Sequence, residues 1–240
     1  MNTLYKLNEY AQRYNVKEFI FEDPIQFPHR YKNKCDIEIS AFISAWLAYG
    51  SRKAFLQVLE KLHQDFIPSP HEYILNRTYL PYKDDFTSLY RFYKRNDFYV
   101  LCQTLNDIYT QSNDMEEDIA KTLQQNDFEN VLAYFNRRFA AVNGIPKDTK
   151  SACKRLCMLL RWLIRNDGIV DLGLWHILSP SQLIVPVDTH VYQTACSLQI
   201  TNRKIADMIC AREITEYLRQ IFPDDPCKGD FALYGYGINC

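Results

Sequence analysis

An isolated aspartate lies where an apolar segment meets a predicted helix, in the stretch LIVPVDTHVYQTA. Asp188 follows the apolar residues 183–187 and precedes THVYQTACSLQI, which has the character of a helix. A carboxylate in this position accepts hydrogen bonds from the first-turn amides and so acts as an N-cap. The same bonds keep it ionised in one orientation, which an electrostatic catalyst also requires. The sequence leaves the roles of cap and catalyst open.

A lysine with potential reactivity lies near the start of another predicted helix, in KSACKRLCMLLRW. If Asp148 is the N-cap, Lys150 falls in the first turn, at the positive end of the helix dipole. That position lowers the pKa of an amine, and a neutral amine is a nucleophile toward a sugar or carbonyl carbon. Lys154, one turn later on the same face, is the alternative nucleophile. An exposed lysine on a solvated face is the simpler interpretation of either residue.

The same predicted helix carries a basic stripe opposite its apolar face. Residues 147–165 contain six cations against the single acid Asp148. Such a stripe is typical of a surface that contacts a nucleic-acid backbone, although a solvated helix face has the same pattern. The stretches RYKNK and YRFYKR also interleave aromatic and cationic residues, as strand-binding surfaces do.

The elements that position these residues are predicted to be helices. The chain has 240 residues, 47% of them hydrophobic, and only seven glycines, which disfavours a hairpin-rich fold. Two helical runs are expected to join at Tyr49-Gly50-Ser51, with others over about 98–111, 114–124, 127–139 and 203–220. Residues 79–97 show no clear pattern. The prediction is an all-α protein, a single unit with lobes at about 36–140 and 141–240.

Composition excludes several classes of protein. The net charge is −1, so a polyanion site must be a local patch. No apolar run approaches the roughly 20 residues of a membrane span. The eight cysteines form no CxxC pair, which indicates reduced thiols and a cytoplasmic location. Cys153 and Cys157 are spaced to share a metal, but without a second pair core packing is favoured, so no metal site is predicted.

Taken together, these motifs resemble the helix-hairpin-helix DNA glycosylases, endonuclease III and its relatives. VPVDTHVYQTACSLQ is similar to the family segment in which an apolar run leads into V-D-T-H and a helix. KSACKRLCMLLRW resembles the preceding helix, and ISAWLAYGSRKAFLQVLEKL resembles the early helix pair, whose loop approaches DNA. DFALYGYGINC is similar to the closing helix. The whole chain also resembles an uncharacterised bacterial family grouped with that superfamily, near its archaeal 8-oxoguanine branch.

The resemblance implies a function and a set of residues. Asp188 matches the catalytic aspartate, and Lys150 matches the lysine nucleophile of bifunctional members. The resemblance implies a glycosylase with AP-lyase activity, and a monomer is favoured. Its partner would be duplex DNA that contains a damaged base such as 8-oxoguanine, or an abasic nucleotide. Trp46 and Trp175 are the candidates for stacking on a flipped base. The residues expected to contact nucleic acid are Arg52, Lys147, Lys154, Arg161, Arg165 and His190.

The chain also departs from the family pattern. The region of the hairpin, normally like L-P-G-V-G, reads VNGIPKDTK, with one glycine and no G-x-G. The interval between Lys150 and Asp188 is longer than in endonuclease III, and the extra residues are expected to form an insertion that carries Trp175 and His176. Because the sequence stops at Cys240, a four-cysteine cluster cannot be completed, and no cofactor is predicted. Two alternatives stay open: a non-catalytic nucleic-acid-binding or interaction protein on the same fold, and a small-molecule nucleoside hydrolase or transferase.

Overall fold

The chain forms helices along most of its length, as the sequence predicts. The computed structural model describes residues 3–239. The α-helices are α1 Thr3–Tyr14, α2 Lys34–Leu47, α3 Arg52–Asp65, α4 Pro70–Leu75, α5 Arg95–Gln111, α6 Met115–Thr122, α7 Phe128–Arg138, α8 Lys154–Ile164, α9 Thr189–Ser197, α10 Met208–Arg219 and α11 Lys228–Asn239. Short 3₁₀ helices span Lys17–Glu22, Pro24–Gln26, Pro28–Arg30, Leu80–Tyr82 and Pro180–Gln182. The strands are β1 Ser88–Tyr90 and β2 Tyr93–Lys94. The protein is all-α.

The chain divides into two compact units. The central unit contains Asp23–Asn126 and Asn130–Lys147. The terminal unit contains the described residues up to Glu22, Asp127–Glu129 and the chain from Asp148 onward. The sequence places a boundary near residue 140. In the structure the boundary follows Lys147, and the N-terminal segment belongs with the C-terminal part.

Helix α2 is the centre of the central unit. Every residue from Ile37 to Leu47 is buried, so this helix is covered on all sides. Helices α3 and α4 both contact it, and α5 contacts α4 in turn. Phe42 stacks on Phe139 with ring centroids 4.4 Å apart. Helix α2 is therefore enclosed by a core that extends around it.

A small hairpin occupies part of residues 79–97, which the sequence left unassigned. Strands β1 and β2 pair antiparallel. Their turn contains Arg91, which adopts the left-handed conformation with φ +52°. Two-residue hairpin turns usually carry Asn-Gly or a similar pair, because their backbone requires positive φ. The pair Arg-Phe gave no such signal, which explains why the hairpin was missed.

Helix α11 is the centre of the terminal unit, where it contacts α1 and α9. Tyr14 packs edge-on against Tyr234 with ring centroids 5.6 Å apart, and Phe19 packs in the same way against Phe231 at 5.1 Å. A Cβ at Gly235 would lie 2.2 Å from Cδ2 of Tyr14. A glycine is therefore required where α1 crosses α11.

Helix α8 begins later than the sequence predicts. Asp148 is not its N-cap; its Oδ1 accepts the N–H of Lys150 at 2.9 Å in a local turn. The carbonyl of Lys150 then accepts the N–H of Met208 at 3.0 Å, and Ser151 forms a β-bridge with Asp207. This pairing with the start of α10 holds the segment extended and delays the helix to Lys154.

None of the helices formed by residues 3–239 combines the length and the apolar character that a bilayer span requires.

Candidate active site

Asp188 is fixed at the start of α9, as predicted. The segment before it, residues 183–187, is buried, and the N–H of Val185 donates to Oγ1 of the buried Thr215 at 3.1 Å. Oδ1 of Asp188 accepts the N–H of Val191 at 2.9 Å, so the carboxylate is the N-cap of α9. The side chain is half-buried. One carboxylate oxygen is thus held by the helix at the point where the chain leaves the core.

A second aspartate, Asp230, lies in the first turn of α11. Its side chain is 15% exposed and contacts Nη1 of Arg161. Burial raises the pKa of Asp230 to about 6; the positive charge of Arg161 opposes this shift, the negative charge of Asp188 adds to it, and Lys154 opposes it. Three charged side chains of the terminal unit therefore act on Asp230. We call Lys154, Arg161, Asp188 and Asp230 the charged cluster.

The charged cluster has the groups needed for acid–base and nucleophilic chemistry. Lys154 is the first residue of α8 and is partly exposed, so its amine can be reached from solvent. Asp188 offers a carboxylate in a fixed orientation. A carboxyl group with a pKa of about 6 exchanges its proton near neutral pH, as a general acid or base must. An amine and a carboxylate are the groups that suit attack at a carbon that develops positive charge.

A buried ion network lies behind the cluster. Nε of Arg161 contacts Oδ1 of Asp171 at 3.3 Å, and Nη1 of Arg165 contacts Oδ2 of Asp171 at 2.8 Å. Arg165 also contacts Asp225 at 2.8 Å and Asp167 at 2.5 Å. The side chains of Arg161 and Arg165 are only 4% and 2% exposed. Both guanidinium groups are enclosed by carboxylates.

The network contains more carboxylates than cations. Two arginines face Asp167, Asp171, Asp225 and Asp230. Burial raises the pKa of Asp171, and Arg161 and Arg165 only partly oppose this. Burial alone would lower the pKa of Arg165, but the charges of Asp171 and Asp225 outweigh it and raise that pKa. The excess negative charge favours a further cation or a proton at the edge of the network, where Lys154 acts on Asp230.

The structure separates the two candidate lysines. Lys150 is exposed in the extended segment and is not in the first turn of a helix. The electrostatic argument for its reactivity depended on that helical position and no longer applies. Lys154 is the lysine whose charge acts on Asp230 together with that of Asp188. Because Lys150 has lost its helical position and the charge of Lys154 acts on Asp230, Lys154 is the better candidate for the amine of this site.

The predicted basic stripe is not an exposed face. Arg161 and Arg165 are buried in the ion network and engage aspartates, because nine of the eleven residues of α8 are buried. Among the residues expected to contact nucleic acid, Arg52, Lys147 and His190 are exposed. Arg52 and Lys147 belong to the central unit, whereas His190 is the second residue of α9 in the terminal unit.

The two base-stacking candidates are core residues. Trp46 and Trp175 are each 1% exposed. Nε1 of Trp46 donates to the carbonyl of Asn143 at 2.8 Å, and the N–H of Trp175 donates to the carbonyl of Leu163 at 2.8 Å. Their indole faces pack against protein, so the stacking role predicted for them is wrong for this conformation.

Sequence reasoning missed Asp230 and Asp171. Neither belongs to a recognisable motif, and each meets its arginine only through the tertiary fold. One signal was present: α8 is apolar around most of its circumference, and a helix of that kind is buried together with its arginines. Buried arginines need carboxylates, so the aspartates of NDGIVD and CKGDF were candidates. Within residues 3–239, no three His, Cys, Asp or Glu side chains are grouped to hold a metal ion.

The fold and the site define an all-α protein with a buried arginine–aspartate network beneath a lysine and a helix-capping aspartate. A family model, described as protein of unknown function (DUF2400), matches residues 23–239. The chain belongs to this family. No curated protein and no solved structure matches the chain.

Proposed function

We propose that this protein is a cytoplasmic DNA base-excision glycosylase with AP-lyase activity, acting on a damaged base such as 8-oxoguanine. The observation that carries the proposal is that Asp188 is held as the N-cap of α9, while Lys154 begins the helix whose Arg161 contacts Asp230. The charges of Lys154 and Asp188 both act on Asp230. An amine and a fixed carboxylate therefore belong to one cluster, and these are the two groups that the chemistry requires. The V-D-T-H resemblance supports the same assignment of Asp188.

The chemistry would begin with a nucleotide flipped out of the duplex, since the C1′–N bond is inaccessible within the stack. Cleavage of that bond gives the sugar positive character, which the carboxylate of Asp188 stabilises. The amine nitrogen of Lys154 forms a bond to C1′ and gives up a proton, while the base leaves with the bonding electrons and gains a proton. Ring opening gives a Schiff base, and loss of a C2′ proton expels the 3′ phosphate.

Borohydride trapping tests the proposal. The full chain would be incubated with duplexes that contain 8-oxoguanine, uracil or an abasic site, and reduction would fix any Schiff base as a covalent adduct. The variants are Lys154→Ala, Lys150→Ala and Asp188→Asn, with the exposed Lys204→Ala as matched control. Asparagine at position 188 keeps a side-chain oxygen for the N-cap, so Asp188→Asn removes charge without removing the cap.

We expect an adduct with the wild type, Lys150→Ala and Lys204→Ala, and none with Lys154→Ala. Asp188→Asn should slow base removal by at least 100-fold, because losing one electrostatic stabiliser raises the barrier by roughly 3 kcal/mol. Loss of the adduct only in Lys150→Ala would instead identify Lys150 as the nucleophile. No adduct on any duplex, the abasic one included, would refute the lyase mechanism.

One observation favours a second candidate, a nucleoside hydrolase acting on small molecules. Two of the six cations of the predicted stripe are buried against aspartates, which removes positive charge from the surface available to a duplex. A small nucleoside needs the amine and carboxylates but not a long positive surface. Salt distinguishes the two candidates, since duplex binding weakens steeply as salt rises and binding of a neutral nucleoside does not.

A further inference from the structure

A group of exposed aromatic residues lies on the central unit, at the hairpin β1–β2 and the loop between α2 and α3. Tyr49, Phe86 and Phe92 are 45%, 60% and 48% exposed. Two cations, Arg91 and Lys94, lie against these rings. We call these five residues the aromatic platform. Three large exposed rings on adjoining segments are unusual on a surface that faces only water.

Two buried tyrosines anchor the platform to the core. The hydroxyl of Tyr90 donates to the carbonyl of Tyr49 at 2.6 Å, which ties the hairpin to the α2–α3 loop. The hydroxyl of Tyr93 donates to the carbonyl of Trp46 at 3.3 Å, and its ring is fully buried. The exposed rings are thus carried on backbone that is held from beneath. A rigid aromatic surface loses little conformational entropy when it binds.

The exposed side chains already make contacts that suit stacking. Phe92 meets Tyr49 edge-on with ring centroids 5.3 Å apart. The guanidinium of Arg91 lies 5.2 Å from the Tyr49 ring centroid, and the amine of Lys94 lies 5.7 Å from that of Phe86. Arg91 also packs over Gly50, which has φ +80° and where a Cβ would lie 2.5 Å from Nη1. A glycine is required there to bring the cation and the ring together.

The platform is positively charged although the whole chain is not. Residues 49–53 and 86–95 contain five cations, and the acids that flank the second stretch are Asp84, Asp85 and Asp97, in a chain of net charge −1. In the part of the chain that the structure describes, Arg95 pairs with Asp85 at 3.7 Å, whereas Arg91 and Lys94 form no ion pair. These two cations are available to an anionic partner. A protein partner would need matching carboxylates, whereas a nucleic acid supplies both anions and flat rings.

We propose that the aromatic platform binds an unpaired stretch of nucleic acid, with Phe92, Phe86 and Tyr49 stacking on bases and Arg91 and Lys94 contacting phosphates. Bases of an intact duplex are already stacked on one another, so their faces are open to aromatic side chains only where a strand is unpaired. The surface would therefore prefer single strands, gaps or frayed ends over a continuous duplex. This inference does not depend on the lyase chemistry of the terminal unit.

Binding of undamaged oligonucleotides tests the inference separately from catalysis. Fluorescence anisotropy would compare a labelled single strand of about a dozen nucleotides, a gapped duplex and a continuous duplex, none with a lesion or abasic site. The variants of the full chain are Phe92→Ala and Arg91→Gln. Glutamine adopts the left-handed backbone conformation of position 91 as readily as arginine does. The matched controls are Phe21→Ala, an aromatic residue 74% exposed in the terminal unit, and the exposed Arg13→Gln.

We expect the wild type to bind the single strand and the gapped duplex more tightly than the continuous one. Phe92→Ala should weaken single-strand binding about tenfold, as loss of one stacked base does. Arg91→Gln should lower the slope of log affinity against log salt by roughly 0.7, the value of one released counterion. Equal binding by Phe92→Ala and the controls would overturn the inference, as would absence of single-strand binding. A dimer that Phe92→Ala dissociates would overturn it in favour of a protein interface.

Discussion

Each unit contains a buried polar group that can be compared with the other: an ion network in the terminal unit, and a neutral pair in the central unit, which also buries the carboxyl group of Glu38. The terminal unit buries charges: Arg161 and Arg165 face four carboxylates, and the pKa values of Asp171 and Asp230 are raised. The central unit buries a neutral pair, Ser40 and His63. Nδ1 of His63 lies 2.8 Å from the carbonyl of Leu59, so that nitrogen carries the hydrogen, and Nε2 accepts the hydroxyl of Ser40 at 2.8 Å.

The difference concerns which of these polar groups a substrate could reach. Burial lowers the pKa of His63 to about 4, so the imidazole is neutral, with both of its nitrogens hydrogen-bonded. Such a pair resembles a nucleophile and its base, but Ser40 is 0% exposed and no substrate reaches it. The buried ion network is different: its carboxylates outnumber its arginines, and the charged cluster beside it includes the partly exposed Lys154 and Asp188. Uncompensated buried charge destabilises a fold, so its presence favours a functional explanation.

The largest expected effect comes from removing one arginine of the network. Arg165→Met leaves Asp171, Asp167 and Asp225 without their shared cation. We expect the free energy of unfolding to fall by about 3–5 kcal/mol, as when one partner of a buried ion pair is lost. Urea unfolding followed by circular dichroism measures it. The exposed Arg52→Met should change stability by less than about 0.5 kcal/mol, and an equal loss in both variants would contradict the network.

The next effect is a loss of stability in acid that belongs to the central unit. The pKa of His63 is about 4 in the fold against 6.5 unfolded, so the unfolded chain binds more protons between these values. The contribution of His63 is complete above pH 6.5 and should be lost as the pH falls toward 4, by roughly 3 kcal/mol. Urea unfolding at a series of pH values measures it.

Replacing both partners sharpens that test. The double variant Ser40→Ala/His63→Phe removes the titrating ring and leaves no unpaired hydroxyl, so its stability should be flatter between pH 6.5 and 4. His29→Ala, at an exposed histidine, should keep the dependence of the wild type. A double variant as steep as the wild type would mean that His63 is not the group responsible.

The smallest effect has the opposite sign and belongs to the terminal unit. The pKa of Asp230 is raised from 3.8 to about 6, so the folded protein binds the extra proton between these values. Its contribution is complete below pH 3.8 and is lost as the pH rises through 6, by roughly 2–3 kcal/mol. Asp230→Asn should remove this loss. Compared with the wild type, the variant should therefore gain more stability at pH 8 than at pH 4. The exposed Asp224→Asn is the control, and a wild-type pH profile in Asp230→Asn would contradict the assignment.

Local chemistry accounts for the parts of the site that could be predicted from the sequence. The cap by Asp188 depends on neighbours within three residues, and both the cap and the following helix are confirmed. The all-α class followed from the same short-range patterns. The start of α8 was wrong because Asp148 suits a cap locally, while the pairing of Ser151 with Asp207 competes and holds the chain extended.

Long-range contacts account for the parts that could not be predicted. A helical wheel places Arg161 and Arg165 opposite the apolar face, but it does not contain the aspartates that enclose them. Asp230 and Asp225 come from the end of the chain and meet α8 only in the folded unit. The full burial of Trp46 and Trp175 also involves residues distant in the chain, such as Asn143, whose carbonyl accepts from Nε1 of Trp46.

The crossing of α1 over α11 bears on how this protein can be shortened. The segment that matches the family, residues 23–239, leaves out α1, yet α1 covers the aromatic side of the helix that carries Asp230. A fragment cut at residue 23 would leave Tyr234 and Gly235 without the cover of Tyr14. Such a fragment would expose an apolar aromatic surface to solvent and would aggregate, although it contained every residue of the charged cluster.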